Sequence, residues 1–185
     1  MGVRITHVVR ISFGQVRRAG FDRSGCRPES PARWMRAVGV MDWLSFFEGF
    51  FTARAEQIEV ILDAAGCREG WLQGEFFLAG REFGLSTNAG KQKFDLRCEH
   101  PPMIAELKVC GGNYAPKMKG FIEGDIRKLR RAFARFGDRY MILVVNTRHT
   151  QTELGQWLMT FEVAHRRYRE LRLSPRVTVR MWELE

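Results

Sequence analysis

Residues 140–146, YMILVVN, form an unbroken apolar run that closes on an asparagine. A run this long with no polar position suits a strand buried on both faces, and such strands occur where helices cover both sides of a sheet. The segment therefore points to a layered α/β architecture.

The rest of the chain agrees. From Asp42 onward, Phe47, Phe50, Phe51, Arg54, Ile58, Ile61, Leu62 and Ala65 recur at helical spacing, which predicts one amphipathic helix closing near Gly66. Residues 71–80 read as a strand and 84–92 as a polar loop, followed by a strand pair at 93–98 and 103–110. Residues 111–120 read as a loop, since Pro116 interrupts either regular structure. A helix is predicted over 122–136, with Ile122, Ile126, Leu129, Phe133 and Phe136 on one side. The run at 140–146 follows. Leu154, Trp157, Leu158, Phe161, His165, Tyr168 and Leu171 then predict another helix, and 176–184 a last strand. The expected order is helix, three strands, helix, strand, helix, strand, with a mixed central sheet flanked by helices.

With 185 residues, 45% hydrophobic and 28% charged, the chain suits one soluble domain. No apolar run is long enough to span a bilayer, and the N-terminus lacks the pattern of a secretory signal. Cys26, Cys67, Cys98 and Cys110 are widely spaced, with no CxxC, so structural zinc is not expected. Reduced thiols in a cytoplasmic protein are the simpler reading. Residues 1–40 stand apart: eight arginines, no lysine, and only Asp22 and Glu29 as acids supply +6 of the net +9. This segment reads as a flexible basic arm, as an added edge strand, or as a misassigned start before Met41. The domain proper is 41–185, and it is only mildly basic.

Charged residues interrupt the strand pair. If 94–109 folds about the His100–Pro101 bond, paired residues have numbers summing to 201. Asp95 then opposes Glu106, and Lys93 opposes Lys108, on one face. Phe94, Leu96 and Cys98 face Leu107, Ala105 and Met103 on the other. Directly opposed carboxylates destabilise a sheet unless a cation lies between them. A hard divalent ion takes carboxylate oxygens and needs few protein ligands, and Lys108 points to the same side. A solvated charged face would give the same pattern. The predicted helix and buried strand that follow instead imply a central strand whose faces are covered, where charges need a reason.

Asp95 followed, after ten intervening residues, by Glu106-Leu107-Lys108 resembles the motif of the PD-(D/E)XK nuclease superfamily, the restriction-endonuclease-like fold. The element order over 42–146 resembles that family's core. YAPKMKGFIEGDIRKLRRAFARFG, 114–137, is similar to the segment after the motif in Holliday-junction-resolvase-like members. Phe94 stands where the family name has proline, a residue often absent in the superfamily. The resemblance implies a nuclease with Mg²⁺, or Mn²⁺ in its place. Asp95, Glu106 and the Leu107 carbonyl would bind the metal, and Lys108 would position or activate the attacking water. It also implies a glutamate from the first helix, with Glu56 the candidate and Glu59 its rival, and an extra polar residue, Asp125. Glu56 also reads as a solvated helix-face acid, and Asp125 as an acid near a helix N-terminus.

Lysines and arginines supply sequence-independent phosphate contacts. Lys117 and Lys119 in the loop beside the motif, then Lys128 and Arg131, are the candidates, with Tyr114 able to stack on a base. The arginines between 127 and 135 also suit a plain solvated helix face, as HRRYRELR at 165–172 suits a solvated helix end. The expectation is a metal-dependent nuclease acting on DNA, possible as a homodimer through its last helix and strand. The alternatives are a nucleic-acid-binding module on the same fold without catalysis, and a protein-interaction domain with an incidental motif.

Overall fold

The computed structural model describes residues 42–63, 68–89, 93–110, 117–132, 134–149 and 152–185. The expectations for 1–40, Cys26, Cys67 and Tyr114 fall outside these residues. The described residues form an α/β structure with a mixed six-stranded sheet. The elements in chain order are α1 Trp43–Ala53, α2 Ala55–Asp63, α3 Arg68–Gly80, β1 Ser86–Ala89, β2 Phe94–Glu99, β3 Pro102–Cys110, α4 Lys117–Arg131, β4 Asp138–Asn146, α5 Glu153–Thr160, β5 His165–Ser174 and β6 Val177–Leu184.

The strands lie in the order β1-β2-β3-β4-β6-β5. Only β3 and β4 are parallel, and α4 makes the crossover between them. Every residue from Tyr140 to Asn146 is buried, because β4 is an inner strand with apolar layers on both faces. On one side Phe46, Phe47, Phe50 and Phe51 of α1 interlock with Leu72 and Phe76 of α3 over Leu96, Ala105, Leu107 and Ile142. Phe50 stacks on Phe76 with ring centres 3.7 Å apart. On the other side Ile122, Ile126 and Leu129 of α4 and Leu158 of α5 cover Ile104, Met141, Leu143 and Trp182. Burying each such side chain stabilises the fold by about 1.5–3 kcal/mol.

Several elements differ from the sequence reading. The first helix is two, broken at Arg54 (φ −120°, ψ 15°), whose N–H bonds Phe51 O and tightens the last turn of α1. Residues 71–80 are helical, not extended. Leu72, Phe76 and Gly80, four apart, make the buried side of α3, while the apolar Phe77 and Leu78 that made the run look strand-like are exposed. The strand preceding the hairpin is instead Ser86–Ala89, inside the stretch read as a polar loop. It is an edge strand paired to β2 alone, so it needs few apolar residues.

The predicted last helix stops at Thr160, and His165–Ser174 is a strand. Of its partly buried residues, His165, Tyr168 and Leu171 are three apart, which mimics a helix, and Leu173 and Ser174 follow them. The cause is an edge strand covered on both faces: Tyr168 packs on the α4 side, Leu171 and Leu173 on the α1 side. A register shift between His165 and Arg167 further breaks the alternation. The final strand, β6, has both edges paired, so it offers no free edge to a second copy. Among the described strands the one at that edge is β5, which carries Arg166, Arg167, Arg169 and Arg172.

Candidate active site

The β2–β3 hairpin has the predicted register: Leu96 pairs with Ala105, Arg97 with Ile104 and Cys98 with Met103, each pair summing to 201. The paired rungs end at Leu96. One step on, the Asp95 side chain takes the place of a backbone acceptor, its Oδ2 receiving the Leu107 N–H at 2.8 Å. The two strands thus part, and a carboxylate bridges the opening. Lys93, at φ 48°, turns the chain there, and Phe94 packs beside Phe136 on the α4 side rather than with Leu96 and Cys98 as the alternation predicts.

Both Asp95 oxygens are engaged. Gln73 Nε2 of α3 donates to Oδ1 at 2.9 Å, and Asn88 Nδ2 donates to Gln73 Oε1 at 2.8 Å, which orients that amide. Glu106 lies deeper, 2% exposed. Burial, with the Asp95 charge adding to it, pushes its carboxyl up to about 8 despite the Lys128 ammonium that ion-pairs with Oε1.

Lys108 projects from β3 beside Glu106, two residues on. Its Nζ lies 3.0 Å from Asp125 Oδ2, 3.3 Å from Glu69 Oε1 and 3.8 Å from Asp95 Oδ2, and it donates to the Leu107 carbonyl at 3.2 Å. Burial opposes its charge, but Glu69, Asp125 and Asp95 outweigh burial and hold it well above the ordinary lysine range. It is an ammonium at neutral pH. Burial raises the Glu69 carboxyl, with Lys108 only partly offsetting it. Cys110, next along that face of β3, is pushed up to about 12 by burial and is not a nucleophile.

Asp95, Glu106, Lys108 and Asp125 converge, and Lys128, expected from the sequence as a phosphate contact, joins them through Glu106. Asp125 does so from the middle of α4, because that helix begins at Lys117 rather than near 122. The helix dipole acts within the first turn only, so it does not account for this acid. Glu56 is a correction: it is exposed on α2, which packs against β5 at the other end of the sheet. Glu59 pairs with Arg176 at 3.6 Å. The helical glutamate at Lys108 is Glu69, from α3.

Glu69 and Gln73 were hidden because 71–80 read as a strand. Once α3 is a helix, their four-residue spacing puts both on one side. Lys117, Lys119 and Arg131 are exposed, with the Lys119 ammonium 5.4 Å from the Trp157 ring centre. Phe121, four residues before Asp125 on α4, is 57% exposed.

Among the described residues, four carboxylates (Glu69, Asp95, Glu106, Asp125) lie around two ammonium groups (Lys108, Lys128). Glu106 Oε1 and Asp125 Oδ2 are buried and accept no hydrogen bond of good geometry; lysine ion pairs alone compensate them. Among the described residues no group of three or more His, Cys, Asp or Glu is arranged to hold a metal ion, the two lysines standing among the acids. Comparison with protein-family models, with curated proteins and with solved structures finds no match.

Proposed function

We propose that the chain is a metal-dependent nuclease that hydrolyses phosphodiester bonds in DNA. The observation that carries this reading is the gathering of four carboxylates, Asp95 and Glu106 buried and Asp125 and Glu69 partly exposed, where β2 and β3 part, with an ammonium fixed beside them. Carboxylates crowded this closely favour a further cation among them. The helix, three-strand meander, helix and parallel strand resemble the restriction-endonuclease-like core, and Asp95, Glu106 and Lys108 occupy its motif positions.

The donors fit a hard divalent ion. Asp95, Glu106 and the Leu107 carbonyl would hold Mg²⁺ or Mn²⁺ through oxygen alone, the buried Glu106 Oε1 having no hydrogen bond of good geometry and only the Lys128 ion pair to exchange. When bound, the ion would supply an acidified water and a polarised phosphoryl oxygen.

The protein's own groups do the rest. Gln73, held by Asn88, fixes the Asp95 carboxylate before substrate arrives. Glu69 and Asp125 hold Lys108 charged and immobile, so it orients the attacking water and stabilises charge developing on the phosphate rather than removing a proton. Lys117 and Arg131, exposed on α4, would take phosphates along the strand, and exposed Phe121 would stack on a base.

The test incubates the 185-residue chain with linear, circular, single-stranded and branched DNA and Mg²⁺ or Mn²⁺, beside Lys108→Ala. Metal-dependent cutting that disappears in the variant is expected. Wild type that binds DNA yet cuts none of these substrates would make it a binding module.

A further inference from the structure

Lys128 sits on one of the oxygens that the proposed metal would use. Its ammonium ion-pairs with Glu106 Oε1, donates to the Lys93 carbonyl at 2.9 Å and lies 5.0 Å from the centre of the Phe94 ring. A carboxylate, a carbonyl and an aromatic face each favour a cation. They come from β3, from the turn before β2 and from β2 itself, so the seat is assembled by the fold rather than by one flexible segment.

The two site lysines are held differently. Lys108 is gripped by three carboxylates and its side chain is 15% exposed. Lys128 has one carboxylate, and its side chain is 32% exposed, which leaves it a way out. An ammonium on Glu106 Oε1 opposes a divalent cation at the same carboxylate, since the two like charges repel.

We infer that Lys128 is a resident counterion of Glu106 which a divalent metal must displace, and that displacement swings this lysine towards the phosphates of a bound strand. The inference rests on the metal-dependent reading above. Metal entry and substrate grip are then coupled: in the metal-free site Lys128 offsets Glu106, and loading the metal releases a phosphate-binding cation. A lysine that served the substrate alone would not compete for the metal.

The test is calorimetric titration of Mg²⁺ into the full 185-residue chain at pH 9.5, where protonation of Glu106 competes less once Lys128 is gone, comparing wild type, Lys128→Met, Lys128→Gln and Asp95→Asn. Charge-assisted contacts are strong enough that both Lys128 variants should bind Mg²⁺ about tenfold tighter or more. Asp95→Asn should lose binding. Two Lys128 variants are used so that failure of one to fold, seen by circular dichroism, leaves the other. Wild type that binds Mg²⁺ while the Lys128 variants bind it equally or more weakly overturns the inference and leaves the metal-dependent reading standing. No binding by any of the proteins overturns both.

Discussion

Replacing Glu106 with glutamine should make the metal-free protein more stable at alkaline pH, although it removes a proposed metal ligand. The carboxyl rises from an ordinary value near 4.5 to about 8 in the folded state. Between those values the folded protein keeps a proton that the unfolded chain has released. Stability from this group is therefore full below about pH 4.5, falls as pH rises, and stays low above about pH 8. At about 1.4 kcal/mol per pH unit, the whole rise is a ceiling of about 5 kcal/mol. Glutamine forfeits the Lys128 ion pair but not the desolvation relief, and Lys128 is exposed enough to return to water. A net gain of about 2 kcal/mol at pH 9 is expected, with little difference at pH 5. Urea denaturation with EDTA present measures both. A Glu106→Gln variant less stable than wild type at pH 9, or an equal difference at the two pH values, would refute the reasoning.

Three other outcomes are expected. At pH 8, Mg²⁺ should raise the melting temperature of wild type and not of Asp95→Asn. Ligand at ten times its Kd adds about 1.4 kcal/mol, or roughly 3–6 °C for a domain this size, read by a thermal melt. Phe121→Ala should leave stability nearly unchanged, the ring being exposed, yet weaken single-stranded DNA binding by about 1–3 kcal/mol in fluorescence anisotropy. Gly137→Ala should destabilise the fold by about 2 kcal/mol or more in urea denaturation. Gly137 has φ 70°, and a Cβ there would meet the Pro102 carbonyl oxygen at 2.1 Å.

How far the sequence was readable depends on the surroundings of each segment. Residues 140–146 were legible because a strand covered on both faces must be apolar throughout, whatever its neighbours. The hairpin register was legible because a turn centred on His100–Pro101 sets the pairing, while alternation sets the faces. WLQGEFFLAG and HRRYRELRLS were misread for opposite reasons. In the first, exposed Phe77 and Leu78 filled the gaps of a helical pattern. In the second, an edge strand packing alternately on two layers placed its buried residues three apart.

The sequence by itself determined an α/β layered body and the trio Asp95, Glu106 and Lys108, since residues that close in one hairpin are positioned by local geometry alone. Only the tertiary structure decided what surrounds them. Glu69 and Gln73 arrive from α3, Asp125 and Lys128 from α4, and Glu56 is carried away on α2 to the other end of the sheet. Helices bring distant residues to a site through crossing angles and packing depth set by the whole core. Spacing along the chain does not encode these.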